Sequence, residues 1–301
     1  MEPAALDVNA TGSRRGDRLN GDFGRLWVGQ TVSLIGTQVS FLAIPLTAAL
    51  TLGATPLQMG FLGASQWLPF LLVGLPAGAW IDRHRRRPIM ILADLARAAS
   101  LGMVPMTAAF HVLSLPLLYA SVFATGTLQV LFELSYQSYV PALVGRDRLM
   151  RANSRIQASM AGSEVGGPGI AGLLTQLVSA PTAVLVDALS YLVSAGSIAR
   201  IRTSEPSPAV KPSPAGRTHA QNLRQSISDG LRTVAMDSVL RALAAEAALY
   251  NLFYTAVLTL LILFGTRDLA LSPGLLGAVL ALGAVGWHAH RARVPATRGV
   301  R

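Results

Sequence analysis

Eight stretches of this 301-residue chain are each apolar for about the 20 residues a helix needs to cross the hydrocarbon core of a bilayer. They fall at about 26–50, 57–80, 88–110, 115–136, 155–179, 182–200, 240–264 and 273–287. Lipid offers no partner to a bare N–H or C=O, so segments of this length satisfy their backbone as helices. The chain is therefore predicted to be an all-α, multi-pass integral membrane protein. Its composition agrees: 51% of residues are hydrophobic, 13% are charged and the mean hydropathy is +0.47. A soluble domain carries about 25% charged residues, needed to cover its surface.

The formal charge of +10 would in a soluble chain suggest an acidic partner or nucleic acid. Here the basic residues sit in short clusters between the apolar runs, which is how a membrane protein is oriented and not how nucleic acid is bound. With the N-terminus placed in the cytoplasm, all but two of the 25 Lys and Arg fall on the cytoplasmic side or at its helix ends. The exceptions are Arg97, inside the third segment, and Arg267, outside. A wrong helix count would scramble that alternation. The expected location is the plasma membrane, with lipid as the first partner. Residues before the first apolar run read as a polar tail and not a cleaved signal. Cysteine is absent, which excludes a disulfide framework and a thiol nucleophile.

The organisation follows as a tail at 1–22, a six-helix lobe at 23–200, a cytoplasmic link at 201–238, two helices of a second lobe at 239–287, and a basic tail at 288–301. The link opens Glu205-Pro206-Ser207-Pro208, which is linker composition. It then spaces Leu223, Ile227, Leu231 and Val234 at helical intervals. That pattern fits an amphipathic helix on the membrane surface or one packed on neighbouring loops. Six helices, a long link and further helices are the layout of a two-lobed transporter.

Between the second and third segments runs Gly78-Ala79-Trp80-Ile81-Asp82-Arg83-His84-Arg85-Arg86-Arg87. A carboxylate at a helix end beside several guanidiniums is suited to a charge-assisted latch that holds in one conformational state and opens in another. This loop resembles the signature of the major facilitator superfamily: Gly, three residues, Asp, a basic residue, one residue, Gly, two basic residues. Gly78, Asp82, Arg83, Arg86 and Arg87 match, and Arg85 stands where the second glycine would be. In the fifth segment, Ser163-Glu164-Val165-Gly166-Gly167-Pro168-Gly169-Ile170-Ala171-Gly172 places small residues around a helix-bending proline, which allows close helix approach. It is similar to that superfamily's fifth-helix motif of drug-exporting antiporters, with Gly167, Pro168 and Gly172 matching. Stretches at 93–98, 139–144 and 185–192 look like its macrolide-efflux and siderophore-export branch.

Charges inside apolar spans are costly and are candidates for function by default. Asp94 and Arg97, three residues apart on one helix face, are placed to pair, and Glu133 lies at a depth that reaches either that pair or the loop arginines. Glu164, roughly 13 Å along its helix, is the leading candidate for proton coupling or for meeting a cationic substrate. Asp187, nearer the outer end of its segment, is a lower-ranked intramembrane candidate, and a helix-end role is the alternative for it and for Glu246. No constellation suggests a metal, a cofactor or an enzyme, and His288 and His290 read as part of the basic tail.

The resemblance implies a secondary active transporter, proton-coupled and exporting drug-like or natural-product small molecules by alternating access. Family members usually have twelve or fourteen spanning helices. After Gly286 the sequence changes to an Arg-, Ala- and His-rich run, so the chain is expected to be C-terminally truncated, by a reading-frame slip or an early stop. The alternative is a non-transporting membrane protein, a remnant or an interaction partner. Substrate, coupling ion and oligomeric state are not legible.

Overall fold

The computed structural model describes residues 8–203, 205, 228 and 232–293. Among them are eight long helices and no strand: α1 (Val8–Leu46), α2 (Pro56–Ile81), α3 (Arg86–Ala109), α4 (Leu115–Val144), α5 (Leu149–Leu177), α6 (Ala180–Ala199), α7 (Ser238–Arg267) and α8 (Pro273–Arg293). Each covers one of the predicted segments. Five of them, over 21–51 and in α3, α4, α6 and α7, are long and apolar enough to cross a membrane. α5 carries Gln157, Ser159, Ser163, Glu164 and its glycines because it lies between α1 and α8 and not alone in lipid.

Local sequence sets where the helices begin and end. Thr55 and Gln58 form a reciprocal capping box at the start of α2, with Pro56 in the first turn. Asp237 caps α7 by accepting from the N–H groups of Val239 and Leu240. α4 stops at Gly145, whose φ of 75° is open to glycine at little cost. α1 ends in a π-helical turn, Thr47–Thr51, just beyond Pro45, which has no N–H to give the regular ladder.

α1 packs on α6 and α5, α3 lies between α6 and α4, and α2 closes on α4. α8 lies along α5, while α7 touches α2 and α1 lightly. Two apolar clusters fill this arrangement. One, around Leu42, Leu46, Met59, Leu101, Leu118 and Val184, takes in Ile262, Leu263 and Leu276 of the last two helices. The other, around Phe23, Leu26, Met90, Phe132, Tyr139 and Ile198, lies toward the arginine-rich end. Large apolar side chains also cover the outside, as expected where the solvent is lipid: Leu71 is 77% exposed and Leu92 65%.

Helix α8 continues past the predicted end at 287 and carries His288 and His290 within it. Leu223, Ile227 and Leu231 of the link lie outside the described residues. The start of the link is docked on the lobe and not free: Asp22 of α1 accepts from the backbone N–H groups of Arg202 and Thr203 and from the Thr203 hydroxyl.

Candidate functional site

The loop between α2 and α3 shows how its charges are used. Asp82 ends α2, its N–H bonded to the Gly78 carbonyl at 3.1 Å. Its carboxylate is exposed and, among the described residues, pairs with none of the arginines. Arg83 is exposed beside it. Arg86 and Arg87 are engaged elsewhere. The carboxylate of Glu205, at the start of the link, accepts from their backbone N–H groups at 2.8 and 3.2 Å and lies 3.6 Å from the Arg86 guanidinium. It thereby caps α3, whose own N-cap residue, Arg85, has no oxygen to offer. The Arg87 guanidinium donates to the Ile198 and Ala199 carbonyls at the end of α6. Positive charge at a helix C-terminus satisfies orphan carbonyls and complements the helix dipole.

Deeper in the lobe, Asp94 and Arg97 form the expected ion pair, both fully buried. Arg97 also donates to Gln129 of α4, and its guanidinium lies between the rings of Phe132 and Tyr191, 4.3 and 4.2 Å from their centroids. Three helices thus converge on one cation, through hydrogen bonds and aromatic faces. Glu133 is half-buried and within reach of the field of Arg97, without a direct ion pair among the described residues.

For Asp187 the helix-end alternative is set aside. It lies two turns into α6 and is 1% exposed, packed against α1. The approach is close because position 36 is glycine: a Cβ there would lie 2.2 Å from the Ser190 hydroxyl and 2.8 Å from the Asp187 carboxylate. Depth along a helix does not reveal which face meets a neighbour, and here the acid is on the buried face.

At the α5–α8 seam the small residues let two backbones touch. A Cβ on Gly172 would lie 2.4 Å from the Pro273 carbonyl and 2.9 Å from Gly277 Cα, and one on Gly277 would lie 2.3 Å from the Pro168 carbonyl. Gly167 faces the other way, against Gln38 of α1. Glu164, on the same helix, has a side chain 48% exposed and meets His288 of α8 at 3.1 Å. Its partner is a histidine that the sequence placed in a tail.

The sequence model of the Major Facilitator Superfamily matches residues 26–297. This chain belongs to the Major Facilitator Superfamily. It is accordingly a protein of a membrane-transporter family and not an enzyme. The relatives of this superfamily member include macrolide efflux protein A of Streptococcus pyogenes, 23% identical over 235 residues, covering 78% of this chain and 56% of that protein. Multidrug efflux pump Tap of Mycobacterium tuberculosis is 29% identical over 214 residues, 69% of this chain and 49% of the pump. An uncharacterized MFS-type transporter, YfiS of Bacillus subtilis, is 27% identical over 182 residues, 56% and 40% of the two chains. The chain spans about half the length of the curated relatives it matches.

Within this superfamily fold, the residues that sequence reasoning missed are those that act across helices. Gln129 and Phe132 on α4 and Tyr191 on α6 surround Arg97. Gly36 admits Asp187, and Glu205 replaces Asp82 as the partner of the loop. A faint signal existed for Gln129, one helical turn from Glu133 and facing the same way. Glu205 carried none, because a cap supplied from another part of the chain leaves no local pattern.

Proposed function

We propose that this protein is a proton-driven exporter of drug-like or natural-product small molecules, working by alternating access in the plasma membrane with its N-terminus in the cytoplasm. One observation carries the reading: α5 and α8 meet backbone to backbone at Gly172 and Gly277, and two helical turns along the same seam the half-exposed Glu164 carboxylate meets His288. Helices in contact through glycines have few interdigitated side chains to unlock, so one can rock on the other. A carboxylate at that seam meets a proton or a cationic molecule each time it opens. Pro168 supplies the bend next to it. Efflux as the direction is supported by the names of two relatives, macrolide efflux protein A and multidrug efflux pump Tap. The arginine-rich end of the bundle supports the inside placement. Asp82 and Arg83, exposed and unengaged with each other, are the groups left for a latch in the opposite state, with Gly78 one helical turn before Asp82.

The test is flux in vesicles reconstituted with the full 301-residue chain. Ethidium should move against its gradient when a proton gradient is imposed, and Glu164→Gln should abolish the movement. Unchanged flux in that variant would remove Glu164 from the mechanism.

A second reading, a membrane protein that does not transport, is favoured by one observation. Residues 238–250, the first half of α7, are exposed on every face, Glu246 included, with no helix of the described residues packed round them. Stable insertion of the chain with no ethidium flux would establish that reading in place of the first.

A further inference from the structure

Three carboxylates of the first lobe, Asp94, Glu133 and Asp187, share the field of a single cation, Arg97. The guanidinium directs its hydrogen bonds to Asp94 and Gln129, and its faces are taken by Phe132 and Tyr191. It sends none to Asp187. Glu133 is half-buried, whereas Asp187 is 1% exposed. A buried carboxylate without a bonded cation is the member of such a set that a proton neutralises first.

The immediate surroundings of Asp187 supply hydroxyls and no bonded cation. Ser190 Oγ lies 2.8 Å from the Asp187 backbone carbonyl and 3.2 Å from Asp187 Oδ1. A hydroxyl has one proton to give, and the nearer carbonyl takes it. A proton on the carboxyl group supplies the second contact, with Ser190 Oγ as acceptor. The Ser40 hydroxyl from α1 and the Tyr191 hydroxyl from α6 lie beside this carboxyl, whose other oxygen, Oδ2, is buried without a hydrogen bond of ordinary geometry.

Ser40 leads outward. It also lines a cavity of about 30 Å³ between α1, α2, α4 and α7, to which Gln66 and Thr259 contribute polar side chains. That space accommodates one water with polar partners on more than one side. The groups that act on Asp187 are then Ser40 from α1, Arg97 from α3, and Ser190 and Tyr191 from α6, with Asp94, Gln129 and Glu133 reaching it only through Arg97. The π-helical turn has no titratable group, and Glu164 of α5 is engaged with His288.

We propose that Asp187, with Ser40 as its relay, is the proton-binding site of the first lobe and exchanges its proton through this water-sized cavity. The assignment rests on the exporter reading for its biological use, and it leaves Glu164 to face the substrate.

Infrared spectroscopy of the full chain in lipid nanodiscs tests it. A protonated-carboxyl C=O band should be present at neutral pH, absent in Asp187→Asn, retained in Glu164→Gln and Glu133→Gln, and shifted in Asp187→Glu. Ser40→Ala should keep the band and slow its exchange in D2O. A band that survives Asp187→Asn, or that Asp187→Glu leaves in place, overturns the proposal, as does the lack of any such band in the wild type. Should Asp187→Asn not insert, Asp187→Glu alone decides. In vesicles, proton-driven ethidium flux that persists in Asp187→Asn overturns the assignment while the exporter reading stands. Wild-type flux that ignores the gradient, with the band still lost in Asp187→Asn, overturns the coupling and supports the site.

Discussion

The centre of the first lobe and the α5–α8 seam both place charged groups within a membrane bundle, and they hold them in opposite ways. In the centre, Arg97 is enclosed by an acid, an amide and two aromatic rings from three helices, and neither it nor Asp94 is open to solvent. At the seam, Glu164 and His288 are both partly open, and the contact that holds the helices is backbone against backbone. The first arrangement resists change because separating any helix strands a buried charge. At the second no buried charge is stranded when the helices part, because its charged pair is already partly open. A lobe locked by a buried charge beside a seam without one suits the rocking of one lobe on another.

The sharpest way to break the comparison is Arg97→Gln. It leaves Asp94 charged, buried and without its cation, and should lower stability by about 3–5 kcal/mol. Thermal unfolding followed by size-exclusion in detergent reads this, and adding Asp94→Asn should recover a large part of the loss. Recovery of nothing would mean that the aromatic sandwich, and not the ion pair, matters there.

Gly172→Leu should act at the seam alone. Overpacking a close contact costs about 1–3 kcal/mol, and here it should be relieved by α8 moving away. The chain has no cysteine, so a disulfide between Gln176→Cys and Gly274→Cys reports the docking directly. Gln176 Oε1 accepts from the Gly274 N–H at 3.1 Å, which places the two positions side by side. Cross-linking should be efficient in the parent and lost with Gly172→Leu, while first-lobe stability holds.

Glu205→Ala tests whether the start of the link belongs to the rigid part. Loss of a helix cap costs about 0.5–2 kcal/mol, and hydrogen exchange at the Arg86 and Arg87 amides should quicken locally. Exchange that stays slow would mean that the cap is dispensable and that the strap is held by Asp22 alone.

The smallest effect is expected for His288→Gln. A partly exposed pair contributes about 0–1 kcal/mol, so the unfolding temperature should scarcely move, and the difference should shrink further in high salt. A drop as large as that of Arg97→Gln would place the seam in the same class as the core and erase the contrast.

Legibility in the sequence followed the range of the interaction. Asp94 and Arg97 were readable because both lie on one helix, where a spacing of three fixes their proximity. The close approach at Gly172 was readable as a property of one helix, but its partner Gly277 was not. Asp187 ranked low because distance from a helix end does not tell which face meets a neighbour, and the depth of Glu164 gave no sign of its partner His288 on α8. Asp82 was assigned the loop arginines by adjacency, whereas Glu205, more than a hundred residues away, has two of their backbone amides.

By itself, the sequence determined that this is a membrane bundle, where the eight long helices of the described residues lie, and which superfamily signature its first loop carries. Those properties depend on runs of neighbouring residues: apolar length against the thickness of a bilayer, caps, prolines and glycines within a turn or two. Only the tertiary structure decided which acid meets which base, that Asp187 is sealed against α1, and that Glu164 meets His288 of α8. Such pairings depend on how helices distant in the chain cross and rotate against one another, and a helix carries no record of that in its own periodicity.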